Sequence, residues 1–237
     1  RYCVTTGYIP VDSIKSKAKE LGVTVTEYLA AVLLWVMYNM QKEEGKRRQK
    51  PVGVQIPVNV RNFCPSETLR NFMLCYTIQI DPNMGEYTFP EIVKQLALYL
   101  RYINNEKELL AMMNGNAGIE RNPLLRVTPS FIKDFAIKLV YVFGGEKATS
   151  ALISNVGVIK TPKEMEQYIE KLALVTGPAM RMGARCTTVT YKDTLAFNIS
   201  NIYMDNKIQR EIFTTLVKFG IPVKIESNRH AVMGGED

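Results

Sequence analysis

The chain has 237 residues, 46% of them hydrophobic and 22% charged, and a formal net charge of +7. This composition excludes a disordered or fibrous protein, and the length is sufficient for a substantial core. The positive charge allows an anionic partner but does not select one.

The cysteines predict a reducing compartment. Cys3, Cys64, Cys75 and Cys186 are far apart, no CxxC pair is present, and His230 is the one histidine. Neither a zinc site nor a disulfide framework is therefore indicated. We interpret the four thiols as reduced, which is typical of a cytoplasmic protein.

The most apolar segment, residues 28–40, predicts a buried helix and no membrane span. A helix that crosses a bilayer needs about 20 apolar residues, and this segment is shorter. The first residues also lack the order of a signal peptide. Because the sequence begins at Arg1 and not at Met, we interpret it as part of a longer protein.

The N-terminal segment predicts one strand and two helices. The β-rich start ends at Pro10, and a helix is expected from Val11 to Leu21. Thr24 and Glu27 have the spacing of a capping box, which predicts the start of the buried helix.

Residues 51–81 predict two further strands, the second with alternating apolar and polar residues. Thr88 and Glu91 indicate the start of an amphipathic helix that we expect to reach Met113. The glycine-containing stretch 114–123 predicts a loop.

The middle of the chain predicts a helix and a strand. The helix is expected to begin at Thr128 and to end near Val142. The apolar run of the strand ends at Ile153, so Ser154 and Asn155 are predicted to lie where a strand gives way to a helix.

The last third predicts a capped helix, a hairpin, another helix and a short strand. These elements cover residues 161–171, 184–201, 206–219 and 221–225, with the hairpin turning at Lys192 and Asp193. The polar tail from Ser227 is predicted to be loose. Hairpins combined with helix crossovers predict an α/β fold, a mixed and largely antiparallel sheet with helices packed against it.

The sequence contains no conventional catalytic constellation. A single histidine leaves no Ser/His/Asp or Cys/His arrangement to assemble, and no glycine-rich phosphate loop is present. We expect no metal site and leave open whether the chain alone is an enzyme.

Two interpretations remain open for each of two basic features, the basic cluster and Arg61. The cluster of Lys46, Arg47, Arg48 and Lys50 is either a solvated loop or a phosphate contact, and it lacks the interleaved aromatic residues of a nucleic-acid site. We therefore expect no nucleic-acid partner. Arg61 closes a β-rich run and is either an ordinary surface arginine or a buried, paired arginine.

Three segments resemble the C-terminal half of the CoA-dependent acyltransferase superfamily, which includes chloramphenicol acetyltransferase, peptide-synthetase condensation domains and alcohol acetyltransferases. They are GVTVTEYLAAVLLWVMY, VGVQIPVNVRNF followed by NFMLCYTIQID, and ISNVGVI. The resemblance covers residues 1–226 and implies one subdomain of the chloramphenicol acetyltransferase-like two-layer sandwich, followed by the tail 227–237. The DFGWG motif of the plant branch does not occur, which disfavours that branch.

The family's catalytic histidine belongs to an HHxxxD motif on the N-terminal half, and this chain has no such motif. His230 has Gly234 where the Asp should be, so the catalytic role is not transferred to it. The resemblance implies half of an alcohol acetyltransferase-like O-acyltransferase, with acyl-CoA as co-substrate, no permanently bound cofactor, a small hydroxyl acceptor and a missing N-terminal half. The alternative is a non-catalytic, condensation-like binding or assembly module with a homodimer partner.

The resemblance also implies roles for single residues. Arg61 matches the arginine that holds the motif Asp, so we expect it to be exposed or paired with a local acid such as Glu67. Ser154 and Asn155 match the tunnel-lining SN.G stretch, where a side-chain donor could bind the oxyanion formed on the thioester.

Overall fold

A seven-stranded mixed sheet organises the chain in the computed structural model, which describes residues 2–45, 49–65, 67–69, 72–121, 127–140, 149–177, 183–202 and 205–228. The strands are β1 (Cys3–Pro10), β2 (Val52–Asn59), β3 (Met73–Ile80), β4 (Ala151–Val158), β5 (Ala184–Tyr191), β6 (Thr194–Asn201) and β7 (Lys224–Ser227). Their order is β3-β2-β4-β5-β6-β1-β7, and only the β2–β4 and β4–β5 pairs are parallel. The predicted mixed, largely antiparallel sheet is confirmed.

Seven helices accompany the strands in the described part of the chain. They are α1 (Val11–Glu20), α2 (Val25–Glu43), α3 (Phe89–Ile103), α4 (Glu106–Arg121), α5 (Ser130–Val140), α6 (Lys163–Glu166) and α7 (Lys207–Lys218). Helix α2 contacts α1, α3, α7, β2 and β4, and it lies at the centre of the core.

The buried helix begins where the capping box predicts. The Thr24 amide donates to the Glu27 carboxylate at 2.6 Å, and the Glu27 amide donates to the Thr24 hydroxyl at 3.2 Å. Residues 29–34 are all 0% exposed, as the apolar residues on every face of the helix predict. No single helix of the described ranges is long and apolar enough to cross a membrane, although α1 and α2, bent by 80°, pass that test together by length and composition.

The two faces of the sheet differ in chemistry. Side chains alternate along each strand, and the set that includes Ile9, Ile153 and Phe197 packs in the core with the helices. The opposite set forms what we call the polar face, which carries Thr6, Thr187, Asn198 and Ser200 next to one another on β1, β5 and β6. The Thr6 hydroxyl donates to the Asn198 carbonyl oxygen at 2.7 Å.

The prediction of one continuous helix as far as Met113 is wrong. Helix α3 ends at Ile103, and α4 begins after Asn105, whose side chain accepts the Glu108 amide at 3.1 Å. Helix α4 then continues to Arg121, through the predicted loop. A side-chain cap therefore restarts the helix where the apolar pattern alone indicates continuity.

The predicted helix at residues 161–171 is shorter than expected. Helix α6 has only four residues, and its N-cap is Pro162. The Thr161 hydroxyl lies 3.2 Å from the Tyr191 hydroxyl, so it contacts β5 and does not cap the helix.

The C-terminal elements largely follow the prediction. The hairpin turns at Lys192, which has a φ of 51°, and α7 is flanked by the cap residues Asn206 and Phe219. The last strand is β7, so Ser227 belongs to a strand and not to a loose tail. Residues 229–237, with His230, lie outside the described residues, as does Val142, near which the helix from Thr128 was expected to end.

Candidate functional site

The predicted site residues lie on the neighbouring strands β2 and β4. Arg61 is in the short 3₁₀ turn Val60–Asn62 that follows β2, and Ser154 and Asn155 are the fourth and fifth of the eight residues of β4. Because β2 and β4 are parallel neighbours, their carboxyl ends are at the same edge of the sheet. The β2–β4 register puts Ser154 level with Pro57, so Arg61 lies about four residues further along the strand direction than Ser154.

Ser154 and Asn155 lie within β4, which corrects the prediction that a strand gives way to a helix at this pair. Asn155 is opposite Thr188 and Val158 is opposite Thr190, so β4 has one residue more than β5 in this interval. This extra residue is a β-bulge, and Gly157 within it has a φ of +84°, a conformation that side chains disfavour. The strand thus continues past the polar pair because a bulge absorbs the irregularity.

Both polar atoms of the Asn155 side chain form hydrogen bonds within the protein. Its Nδ2 donates to the Thr26 hydroxyl at 2.8 Å, and its Oδ1 accepts the Gly157 amide at 2.9 Å. Thr26 is in the first turn of α2, so these bonds join the bulge to the start of the central helix. We conclude that Asn155 fixes the backbone here and that one of the two N–H donors of its side chain remains for a bound ligand.

Ser154 faces the other side of the sheet. It is opposite Thr187 in the β4–β5 register, and paired residues share a face. Ser154 is half-buried, and its hydroxyl has no hydrogen-bond partner among the described residues. A serine hydroxyl offers one donor and two acceptor positions, so this group can serve a ligand on the polar face.

Arg61 is half-buried and interacts with its own loop. Its guanidinium donates to the Thr68 carbonyl at 2.9 Å and lies 5.8 Å from the centre of the Phe72 ring. The Arg61 amide donates to the Asn59 side chain at 3.0 Å. The expected arginine at a strand end is therefore held by a carbonyl and an aromatic ring.

Lys50, the described member of the basic cluster, lies far from Arg61. Lys46, Arg47 and Arg48 lie outside the described residues, and the exposed Lys50 precedes β2. Since β2 has eight residues, Lys50 and Arg61 are separated by roughly 25–35 Å along the strand direction. Only a long, extended ligand could contact both ends of β2.

Residues 166–176, which we call the crossing segment, lie across the polar face, and the sequence predicted no functional role for them. The Thr187 hydroxyl donates to the Leu174 carbonyl, and the Lys192 ammonium donates to the Glu166 carbonyl at 3.1 Å. The alternating polar residues in β5 and β6 could have predicted that another segment covers this face. A covered sheet face that carries threonine and asparagine needs hydrogen-bond partners for these side chains.

Lys171 anchors this crossing segment to the edge of the sheet. Its ammonium lies 2.7 Å from the Glu226 carboxylate and 4.8 Å from the centre of the Tyr8 ring. The hydrogen bond to Lys171 lowers the pKa of Glu226, and the same bond raises the pKa of Lys171. Both groups are therefore charged at neutral pH.

The cysteine of β5, the strand next to Ser154 and Asn155, lies in the core. Cys186 is opposite Ile153 in the core, and complete burial raises the pKa of its thiol, which disfavours the thiolate. Within the described ranges, no group of three His, Cys, Asp or Glu side chains could hold a metal ion.

No protein-family model matches the chain, and no curated protein sequence matches it. Solved structures match over most of its length. The TRI3 trichothecene 15-O-acetyltransferase from Fusarium sporotrichioides has a TM-score of 0.61 and 11% identity, covering 92% of this chain and 45% of that protein. The condensation domain for chain release from the enacyloxin polyketide synthase has a TM-score of 0.53 and 13% identity, covering 92% of this chain and 41% of that one.

A third similar structure is the epimerization domain from the third module of tyrocidine synthetase B, with a TM-score of 0.53 and 11% identity, covering 92% of this chain and 46% of that domain. This chain spans less than half the length of each of these three proteins. The seven-stranded mixed sheet and these likenesses together give the chain the fold that the O-acetyltransferase, the condensation domain and the epimerization domain share.

Proposed function

We propose that this chain is the C-terminal half of an alcohol acetyltransferase-like O-acyltransferase, which transfers an acyl group from a CoA thioester to a small hydroxyl acceptor. The observation that carries the proposal is the likeness to an O-acetyltransferase over 92% of this chain but only 45% of that protein. The general base would be the histidine of an HHxxxD motif on an N-terminal half, and this chain alone would be inactive.

The proposed reaction needs an oxyanion donor as well as a base. The acceptor oxygen attacks the thioester carbonyl carbon, its proton passes to the histidine of the other half, and the C–S bond breaks as the proton is returned to the CoA sulfur. Ser154 is the candidate donor to the oxyanion, because its hydroxyl is available on the polar face. Asn155 supports this position through its bonds to Thr26 and Gly157.

Two further roles belong to the same proposal. Arg61 would hold the Asp of the absent motif, exchanging the Thr68 carbonyl for a carboxylate. Lys50, with Lys46, Arg47 and Arg48, would contact the phosphates of CoA, which binds as a co-substrate. The four free cysteines fit a reducing compartment, so we place the protein in the cytoplasm.

The experiment is an acyl-transfer assay on the protein that contains this chain and an N-terminal half. With acetyl-CoA and a series of small alcohols, release of the CoA thiol reports the rate. We expect Ser154→Ala to lower kcat about 10²- to 10³-fold, the usual effect of losing an oxyanion donor. Thr214→Ala, an exposed change on α7, is the control and should leave the rate unchanged. A Ser154→Ala rate equal to that of the control would refute the oxyanion role.

A further inference from the structure

An open cleft of about 310 Å³ lies between α7 and the strands β1 and β7. Its volume is near the small end of the range for small-molecule sites, about 300–1,000 Å³. We call it the α7 cleft. The described residues that line it are Thr5, Ile225 and Ser227 on the strands, and Asn206, Gln209, Arg210 and Phe213 on the helix and its N-cap.

The α7 cleft is on the face of the sheet that packs against the helices. Thr5 is opposite Ile199, which is 0% exposed in the core, and paired residues share a face. Ser154 points to the polar face instead. The cleft is therefore separate from the site proposed for acyl transfer, and what it binds does not depend on that reaction.

Short side chains on the strands create the space under the helix. Where Phe213 crosses β1 the helix lies close to the sheet, because a Cβ on Gly7 would be 2.3 Å from the Phe213 ring. The next pair of strand residues on this face is Thr5 and Ser227, whose hydroxyls are 3.3 Å apart. Since neither side chain is long enough to fill the gap below α7, a cleft remains.

A buried amide lines the α7 cleft. Gln209 is 3% exposed and lies one helical turn before Phe213, on the side of α7 where apolar residues are usual. Its Oε1 accepts no hydrogen bond from the described residues. A buried amide oxygen without a donor costs free energy, and a ligand that brings an N–H or O–H donor would remove this cost.

A cationic side chain lies beside this acceptor. Arg210 follows Gln209 on α7, is exposed, and is the one charged residue among the described residues that line the cleft. A guanidinium binds a carboxylate through two parallel hydrogen bonds. The remaining walls include Phe213 and Ile225, which suit an aliphatic or aromatic group.

We propose that the α7 cleft binds an apolar α-amino acid, with its ammonium group on the Gln209 Oε1, its carboxylate on Arg210, and its side chain against Phe213 and Ile225. Gln209 and Arg210 are adjacent in the chain, and a single carbon atom separates the two charged groups of an α-amino acid. Phe213 lies one turn of about 5.4 Å beyond Gln209, which a branched or aromatic side chain can reach.

The first test titrates L-leucine into the chain and measures the heat of binding by calorimetry up to millimolar concentration. We expect one site per chain. Two analogues each lack one charged group: 4-methylpentanoate has no ammonium and 3-methylbutylamine has no carboxylate. Each should bind at least about tenfold more weakly, since losing a hydrogen bond to a charged group costs that factor or more. Absence of leucine binding, or equal affinity for the three compounds, would overturn the proposal.

The second test assigns the binding to the cleft. Gln209→Met keeps a long side chain without the amide, and Arg210→Ala removes the guanidinium. Each should weaken leucine binding at least about tenfold, whereas Thr214→Ala, an exposed change on the same helix, should leave it unchanged. Gln209→Met should not lower Tm, because the oxygen that it removes has no partner among the described residues. A lowered Tm with unchanged leucine affinity would show that Gln209 is structural and would overturn the site.

Discussion

Replacing Asn155 should destabilise the fold, whereas replacing its neighbour Ser154 should not. Asn155→Ala removes the bonds to the Thr26 hydroxyl at 2.8 Å and to the Gly157 amide at 2.9 Å. Each such bond contributes about 0.5–1.5 kcal/mol net, and the Asn155 side chain is exposed, so we expect a loss of about 1–2 kcal/mol. Ser154→Ala removes no bond to another described residue and should change the free energy of unfolding by less than about 0.5 kcal/mol.

A double-mutant cycle isolates the bond between the bulge and the helix. Thr26→Val keeps the shape of the side chain and removes only the acceptor of the Asn155 amide. The combined variant should be less destabilised than the sum of the single variants by about 0.5–1 kcal/mol, because both changes delete the same bond.

Thermal unfolding followed by circular dichroism measures these differences. For a domain of this size, about 1 kcal/mol corresponds to a Tm change of about 2–4 °C, so Asn155→Ala should lower Tm by about 2–8 °C. Equal Tm values for the Asn155→Ala and Ser154→Ala variants would refute the assignment of Asn155 as the structural residue. Strict additivity in the cycle would show that the Thr26 contact contributes nothing.

Three other changes test separate parts of the structure. Gly7→Ala should cost about 1–3 kcal/mol in unfolding by denaturant, because its Cβ would lie 2.3 Å from the Phe213 ring; a neutral effect would contradict this packing. Alkylation under native conditions should modify the exposed Cys75, faster as pH rises because the thiolate is the reactive form, and partial burial raises the pKa of that thiol and so moves the acceleration to higher pH. Cys186 should react only after unfolding, and early labelling would show that the core is open. The lowered pKa of Glu226 means that its ion pair stabilises the crossing segment above the ordinary carboxylate pKa of about 4.3 and is lost as pH falls through the lowered value. Cleavage of that segment by pepsin, which acts in acid, should thus accelerate as pH falls through the lowered value, and Glu226→Gln should be cleaved fast throughout the range in which pepsin acts.

The central helix and the strands around it were predictable because their signals are local. The capping box and the continuous apolar run define α2, and alternation defines β3. These patterns depend on neighbours within one or two turns of the chain. The fold class followed from the order of such elements.

The site geometry was not predictable, because it depends on contacts between distant residues. Asn155 and Thr26 are separated by 129 positions, and their bond helps to keep a polar pair inside a strand. Thr161 likewise uses its hydroxyl on Tyr191, which no local capping pattern reveals. The opposite orientations of Ser154 and Asn155 became visible only with the β4–β5 register.

Reconstitution tests the central claim most directly. This chain and the segment encoded upstream of Arg1 should be expressed as separate pieces and then mixed, with acetyl-CoA-dependent acylation of an alcohol as the readout. We predict that the upstream segment contains HHxxxD, that neither piece alone is active, and that the mixture transfers the acyl group. An upstream segment without that motif and a mixture without activity would contradict the assignment of this chain as half of an acyltransferase.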